Sequence, residues 1–128
     1  LMKFTYGASA YLTGGDIYQN REEQLVSVYG NALKADVLKA NHHGTHTSNC
    51  ERWLTAVSPS VMFAPADDTG DTSLVSRAAR LGIAYYSVGA DGLVMIRMDG
   101  SRKYKVVSQY DSPLRQAYRG DIGKRKNA

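Results

Sequence analysis

The sequence is short of several things that would each point to a protein class. It has one cysteine, Cys50, in 128 residues. That excludes an internal disulfide framework and a cysteine-built zinc ribbon. No apolar run approaches the ~20 residues that a membrane span needs, and no signal-peptide pattern is visible. Internal repeats, low-complexity tracts and linkers are absent, so one domain, or part of one, is expected. Charge of either sign is not extreme. The formal net charge is +4 and the pI is near 9.2, a mild excess that fits an anionic small molecule or a nucleic acid. Much of that excess lies in Arg115, Arg119, Lys124, Arg125 and Lys126, read as a solvated basic tail over 109–128. What remains, 43% hydrophobic and 22% charged, is ordinary globular composition.

Histidine is scarce too, and its placement is informative. All three stand within five positions of Asn41-His42-His43-Gly44-Thr45-His46-Thr47-Ser48. An apolar run, Asp36-Val37-Leu38-Lys39-Ala40, leads into that stretch, and a helix start follows it. Neutral imidazole is the commonest metal ligand and the usual proton shuttle near pH 7. Loops carried on a rigid scaffold are where sites are built. The competing reading is a polar turn that hydrogen-bonds its own backbone.

Periodicity predicts the elements around it. Residues 2–13 alternate as a β-hairpin with a turn at Gly7-Ala8. Gly14-Gly15-Asp16 ends it, as a plain turn or as a carboxylate set at a strand end. Asn20-Arg21-Glu22-Glu23 has capping-box form, with a helix over 21–33 whose inward stripe is Leu25, Val28 and Leu33, helped by Tyr29. A strand is expected over 36–41, buried on both faces. Ser48-Asn49-Cys50-Glu51 is a second capping box, opening a helix with Trp53 in the core that stops before Pro59. A strand over 60–64 follows. The 65–71 loop, with Asp67, Asp68 and Asp71, lacks calcium-loop spacing and reads as solvated loop and helix cap. A helix over 73–81 ends at Gly82. A strand over 83–87, a turn at 89–92 and a hairpin over 93–107 about Asp99-Gly100 complete the order β-β-α-β-α-β-α-β-β-β. That order predicts an α/β architecture with antiparallel strands at both ends.

In a βαβ unit the C-terminal ends of the two parallel strands share one sheet edge, where open α/β sheets place their sites. Asp16 and His42 or His43 are therefore expected within ligand distance of each other. A carboxylate and an imidazole suit Zn²⁺ or Mn²⁺, but two donors are fewer than the three of a catalytic site.

Thr13-Gly14-Gly15-Asp16, a helix, then Val37-Leu38-Lys39-Ala40-Asn41-His42-His43-Gly44-Thr45-His46-Thr47-Ser48 resembles the C-terminal half of metallo-β-lactamase-fold hydrolases. The branch it looks most like includes the hydrolase domain of the competence DNA-uptake protein ComEC. The resemblance covers roughly residues 2–107. It implies half of an αββα sandwich, a mixed sheet flanked by helices, over 1–108. It also implies two divalent metal ions, zinc or manganese, and hydrolysis of a phosphodiester or other anionic substrate. Asp16 would bridge the ions and His42 would complete one of them, with His43 as the less favoured ligand or a substrate contact. Thr45, His46, Thr47 and Ser48 would line the substrate side. A bacterial protein, cytoplasmic or exported, is implied.

The departures from that family are as informative. Its His-x-His-x-Asp-His motif and a further histidine are absent from the sequence, and both belong to the N-terminal half of the fold. The start at Leu1, in mid-strand, predicts a fragment of a longer protein. The alternatives are a partner chain that supplies the rest, or a metal-poor remnant that binds without catalysing. The 128 residues alone are expected to be inactive and to associate through an uncovered sheet face.

Overall fold

The structure is a computed structural model that describes residues 1–66 and 71–110. Strands β1 (Met2–Tyr6) and β2 (Ser9–Thr13) form the expected hairpin. Helix α1 (Gln19–Tyr29) leads through a 3₁₀ turn, Gly30–Leu33, to β3 (Val37–Lys39). Helix α2 (Glu51–Val57), β4 (Val61–Ala64), α3 (Thr72–Arg80) and β5 (Ala84–Ser87) follow. A single helical turn, α4 (Val88–Asp91), precedes the hairpin β6 (Val94–Met98) and β7 (Tyr104–Ser108).

The first five strands make one sheet in the order β1-β2-β3-β4-β5. β1 is antiparallel to β2, and β2 to β5 are parallel. The chain is α/β with a mixed sheet, as its element order predicts. Strands added in one direction through right-handed crossovers put every connecting helix on one face. On that face Leu12, Leu38 and Met62 meet Leu33, Trp53, Leu54, Val57, Leu74 and Ala78, all buried. Trp53 is 0% exposed, in the core where its position in α2 predicts it.

The opposite face carries Phe4, Tyr11, Val37, Val61, Phe63 and Tyr86. The β6–β7 hairpin covers part of it, with Val94, Ile96, Met98 and Val106 packed against Val37, Val61 and Tyr86. Phe4 stacks on Tyr11 at 5.8 Å and Tyr11 on Phe63 at 6.3 Å, but Phe4 stays 54% exposed. A groove of about 340 Å³ lies between this aromatic row and β6.

Several boundaries differ from expectation. β3 is three residues long, because Asp36 turns its carboxylate to the Ala10 amide and Asn41 enters a 3₁₀ turn. α1 starts at Gln19 after Tyr18, and Asn20 bonds only the next amide, so no capping box forms there. The stripe of α1 is Glu22, Leu25 and Val26; Val28 and Tyr29 face solvent. Asp71 caps α3 as predicted, accepting from the Ser73 and Leu74 amides, and Gly82 follows the helix at φ 71°. Asp67, Asp68 and residues 111–128, with the basic tail, lie outside the described residues. No helix among the described residues is long and apolar enough to cross a membrane.

Candidate functional site

The Gly14-Gly15-Asp16 and Asn41–Gly44 segments meet at the C-terminal edge of the parallel strands. The His42 amide donates to the Gly15 carbonyl at 2.9 Å, which clamps the loop after β2 to the loop after β3. There is no room for a side chain at Gly14, since a Cβ would collide with Asn41 Oδ1. That close approach is why a glycine stands there. The result sets His43 Nε2 3.6 Å from Asp16 Oδ1, with the two side chains 55% and 61% exposed. At that exposure the contact contributes little to stability.

His42 lies beside this pair and is held differently. Its Nδ1 is 2.9 Å from Thr47 Oγ1 and 3.0 Å from Thr45 Oγ1, and the two hydroxyls are 3.0 Å apart. Tyr18 packs edge-on against its ring at 4.9 Å. The threonine contacts fix the ring through Nδ1 and leave Nε2 as its other nitrogen. Ser48 is buried and donates to the Ile17 carbonyl at 2.7 Å, which ties the histidine stretch to the loop after β2. The Gln19 amide reinforces the tie through the Thr47 carbonyl at 3.0 Å. His46 is exposed and near enough to Asp71 to add slightly to the forces that lower its pKa.

The backbone of the loop is strained. His42 (φ 47°, ψ 51°) and His43 (φ 56°, ψ 16°) are both left-handed, which costs roughly 1–2 kcal/mol for each non-glycine residue. Gly44 follows at φ 83°, packed so that a Cβ would come within 3.0 Å of Ala64 Cβ. Strain of this kind persists only where the surroundings over-determine it, and it concentrates at functional sites.

A buried polar network does the over-determining. Glu22, 0% exposed on α1, accepts from Asn41 Nδ2 at 2.7 Å, the Asn49 amide at 2.6 Å and the Cys50 amide at 2.9 Å. Asn49 in turn accepts from the Asn41 amide at 2.7 Å and donates to the Asn41 carbonyl at 2.9 Å. Glu22 thus receives the two amides that lead into α2, and Cys50 holds the cap position itself. A negative group suits the positive end of the helix dipole. Sequence reasoning missed Glu22 and Asn49, which fix both ends of the histidine stretch. The available signal was two asparagines eight residues apart around the histidines, but nothing local pointed to their shared partner.

Electrostatics add Lys39, half-buried at the end of β3. Burial pulls its pKa below the usual lysine range, and the Asp16 charge partly restores it. Burial also raises the Cys50 thiol, which leaves it a poor nucleophile.

As a cation site this edge has the right donor types. Two ligands ~2.0–2.1 Å from one tetrahedral ion stand ~3.3 Å apart, close to the 3.6 Å between Asp16 and His43. The donor number falls short. Among the described residues no three of His, Cys, Asp and Glu converge to hold a metal. Asp16 and His43 alone therefore do not make a metal site.

Comparison with known proteins agrees with the competence resemblance over part of the chain. A competence protein, ComA of Neisseria gonorrhoeae, is 39% identical over 64 residues, 50% of this chain and 9% of that protein. ComE operon protein 3 of Bacillus subtilis is 32% identical over 60 residues, 47% of this chain and 8% of that protein. Over about half its length the chain is similar to competence-related proteins of the ComEC type. It spans less than a tenth of the length of either. No family model matches. Both relatives are bacterial, which points to a bacterial origin for the chain.

Proposed function

We propose that the chain supplies one wall of a divalent-metal-dependent hydrolase site of the metallo-β-lactamase type, within a ComEC-like protein, that cleaves a phosphodiester or another anionic substrate. The observation that carries this reading is the convergence of Asp16, His42 and His43 on one sheet edge, on a backbone strained at both histidines. Asp16 is the candidate bridging ligand and His42 the candidate terminal ligand through Nε2. A ligating histidine commonly has its other ring nitrogen fixed by a hydrogen bond, and the Thr45–Thr47 hydroxyls supply one at Nδ1. His43 faces Asp16 as a second ligand or a substrate contact. Thr45, His46 and Thr47 border the substrate side, and Ser48 positions the loop from beneath. Two zinc or manganese ions, when bound, would activate water and polarise the scissile bond. The remaining ligands would come from the N-terminal half of such a fold, supplied by the same protein or by a partner chain.

The test is phosphodiester hydrolysis with added Zn²⁺ or Mn²⁺ by the gene product that contains these residues, against Asp16→Ala and His42→Ala. A first-sphere ligand should cost more than the ~10–100-fold typical of outer partners, at unchanged thermal unfolding. Full activity in Asp16→Ala removes the proposal. The chain alone should show no turnover.

A second reading is a binding module that keeps the fold without the chemistry. The lack of a three-ligand cluster among the described residues favours it. It requires that the neighbouring sequence lack His-x-His-x-Asp-His, and reading that sequence separates the two.

A further inference from the structure

The opposite edge of the sheet carries a feature that the proposed site does not use. A cleft of about 350 Å³ opens at the N-terminal ends of β2 and β3, among Lys3, Ser9, Lys34, Asp36, Ser58 and Arg102. Strand rise of ~3.3 Å per residue puts it ~13 Å or more from the Asp16 edge. Three basic side chains from three separate segments line it together with one carboxylate.

That carboxylate is already committed. Asp36, buried, accepts from the Ala10 amide through Oδ2 at 2.8 Å and pairs with Arg102 Nε through Oδ1 at 3.1 Å. The pairing uses Nε and leaves both terminal nitrogens of Arg102 outside that bond. Arg102 is pinned again by its own amide, which donates to Ser9 Oγ at 3.0 Å, and it takes a left-handed φ of 67° to do so. Lys3 spends one hydrogen on the Ala32 carbonyl at 2.8 Å, which leaves two of the three that an ammonium carries. Lys34 is exposed, and its ammonium makes no hydrogen bond or ion pair among the described residues. The cleft therefore has an excess of charged donors. Two of its three cations are already held in place, which lowers the entropic cost of gathering them around a ligand.

We propose that this cleft binds a small phosphate-bearing anion through Lys3, Lys34 and Arg102, with the hydroxyls of Ser9 and Ser58 at its wall. Donors approach it from three directions. A phosphate group offers at least three acceptor oxygens in a tetrahedral array, where a carboxylate offers two in a plane. The site stands independently of the Asp16–histidine edge and of any metal there.

The experiment is an amide-shift titration of the chain with sodium phosphate, and in parallel with a 5′-mononucleotide, each against chloride at matched ionic strength. Saturable shifts should cluster at residues 7–10, 34–36 and 102. Lys34→Glu, a change at an exposed side chain whose ammonium makes no bond among the described residues, should weaken binding by about tenfold or more, the size of one close charge pair. Lys105→Glu makes the same charge change on β7, away from the cleft, and should weaken it less than about twofold once salt screens the longer distance. Equal saturation by phosphate and nucleotide identifies the free ion as sufficient. Tighter nucleotide binding at the same amides identifies a phosphate ester. Shifts no larger than those with chloride overturn the proposal, and so do equal losses in the two variants, since they would mean a diffuse field rather than a site.

Discussion

The two faces of the five-stranded sheet are built to different degrees of completion. On the helical face Leu12, Leu38, Trp53, Leu54, Val57 and Met62 are essentially without solvent contact, and three helices close over them. On the other face a two-stranded hairpin covers Val37, Val61 and Tyr86, while the Phe4–Tyr11–Phe63 row borders an open groove. The helical face is a finished core, and stability should depend on it. The aromatic face has the composition of a core without the cover, and such surfaces mark association. Both faces meet at the edge where Asp16 and the histidines sit, yet only the helical side reaches under the loop, through Glu22.

The strongest way to break this comparison is a pair of truncations. Leu54→Ala empties a fully buried position and should cost about 3 kcal/mol, within the ~2–5 kcal/mol range of such changes. Phe4→Ala removes a larger side chain but one already half in water, and should cost under about 1 kcal/mol. Its main effect should be weaker self-association of the chain, read by sedimentation. Urea unfolding checks the energies. Equal costs would mean that the aromatic face is as much a core as the other.

A second change asks whether the helical face supports the site or merely lies beside it. In Glu22→Gln one carboxylate oxygen becomes an amide nitrogen, so a donor must face either the Asn41 amide or a backbone N–H at Asn49 or Cys50. A buried donor left unsatisfied costs about 1–3 kcal/mol. Unlike Leu54→Ala, this substitution should also move the backbone resonances of His42 and His43, because Asn41 and Asn49 carry the network into that loop. Destabilisation without those shifts would detach Glu22 from the site.

These cases also show what the sequence made legible. The strand–helix alternation and the two glycine-bearing strand ends were enough to bring Asp16 and the histidine pair to one edge, because parallel strands leave their C-terminal ends together. Which histidine faces Asp16 was not legible. It is decided by two consecutive left-handed residues, and backbone of that kind leaves no pattern in side-chain identity unless glycine occupies it. Glu22 was hidden for a different reason. Its partners lie 19 to 28 residues away, and the Asn20–Glu23 spacing beside it imitates a local cap. Val28 misled by hydrophobicity alone. It is 72% exposed, on the side of α1 away from Glu22, Leu25 and Val26.

The smallest expected effect contrasts the two ways of ending a helix on the helical face. The amides leading into α2 go to a carboxylate from another helix, whereas α3 is capped by its own Asp71. The Ser73 hydroxyl is the main cause that lowers the Asp71 pKa; burial opposes it as the next-largest effect, and the Leu74 and Ser73 amides then add to the lowering. A folded-state pKa below the unfolded one means stability that is fully present above the ordinary aspartate value of 3.8. That stability is lost as pH falls through the folded value. Asp71→Ala should therefore lower stability at neutral pH by about 1 kcal/mol, the usual cost of a lost cap. Asp71→Asn keeps an acceptor at the cap but removes the titration, so it should flatten the acid limb of the stability curve with little loss at neutral pH. Urea unfolding across a pH series reads both. An acid limb unchanged in Asp71→Asn would show that acid sensitivity lies elsewhere, and would remove Asp71 as the self-contained counterpart of Glu22.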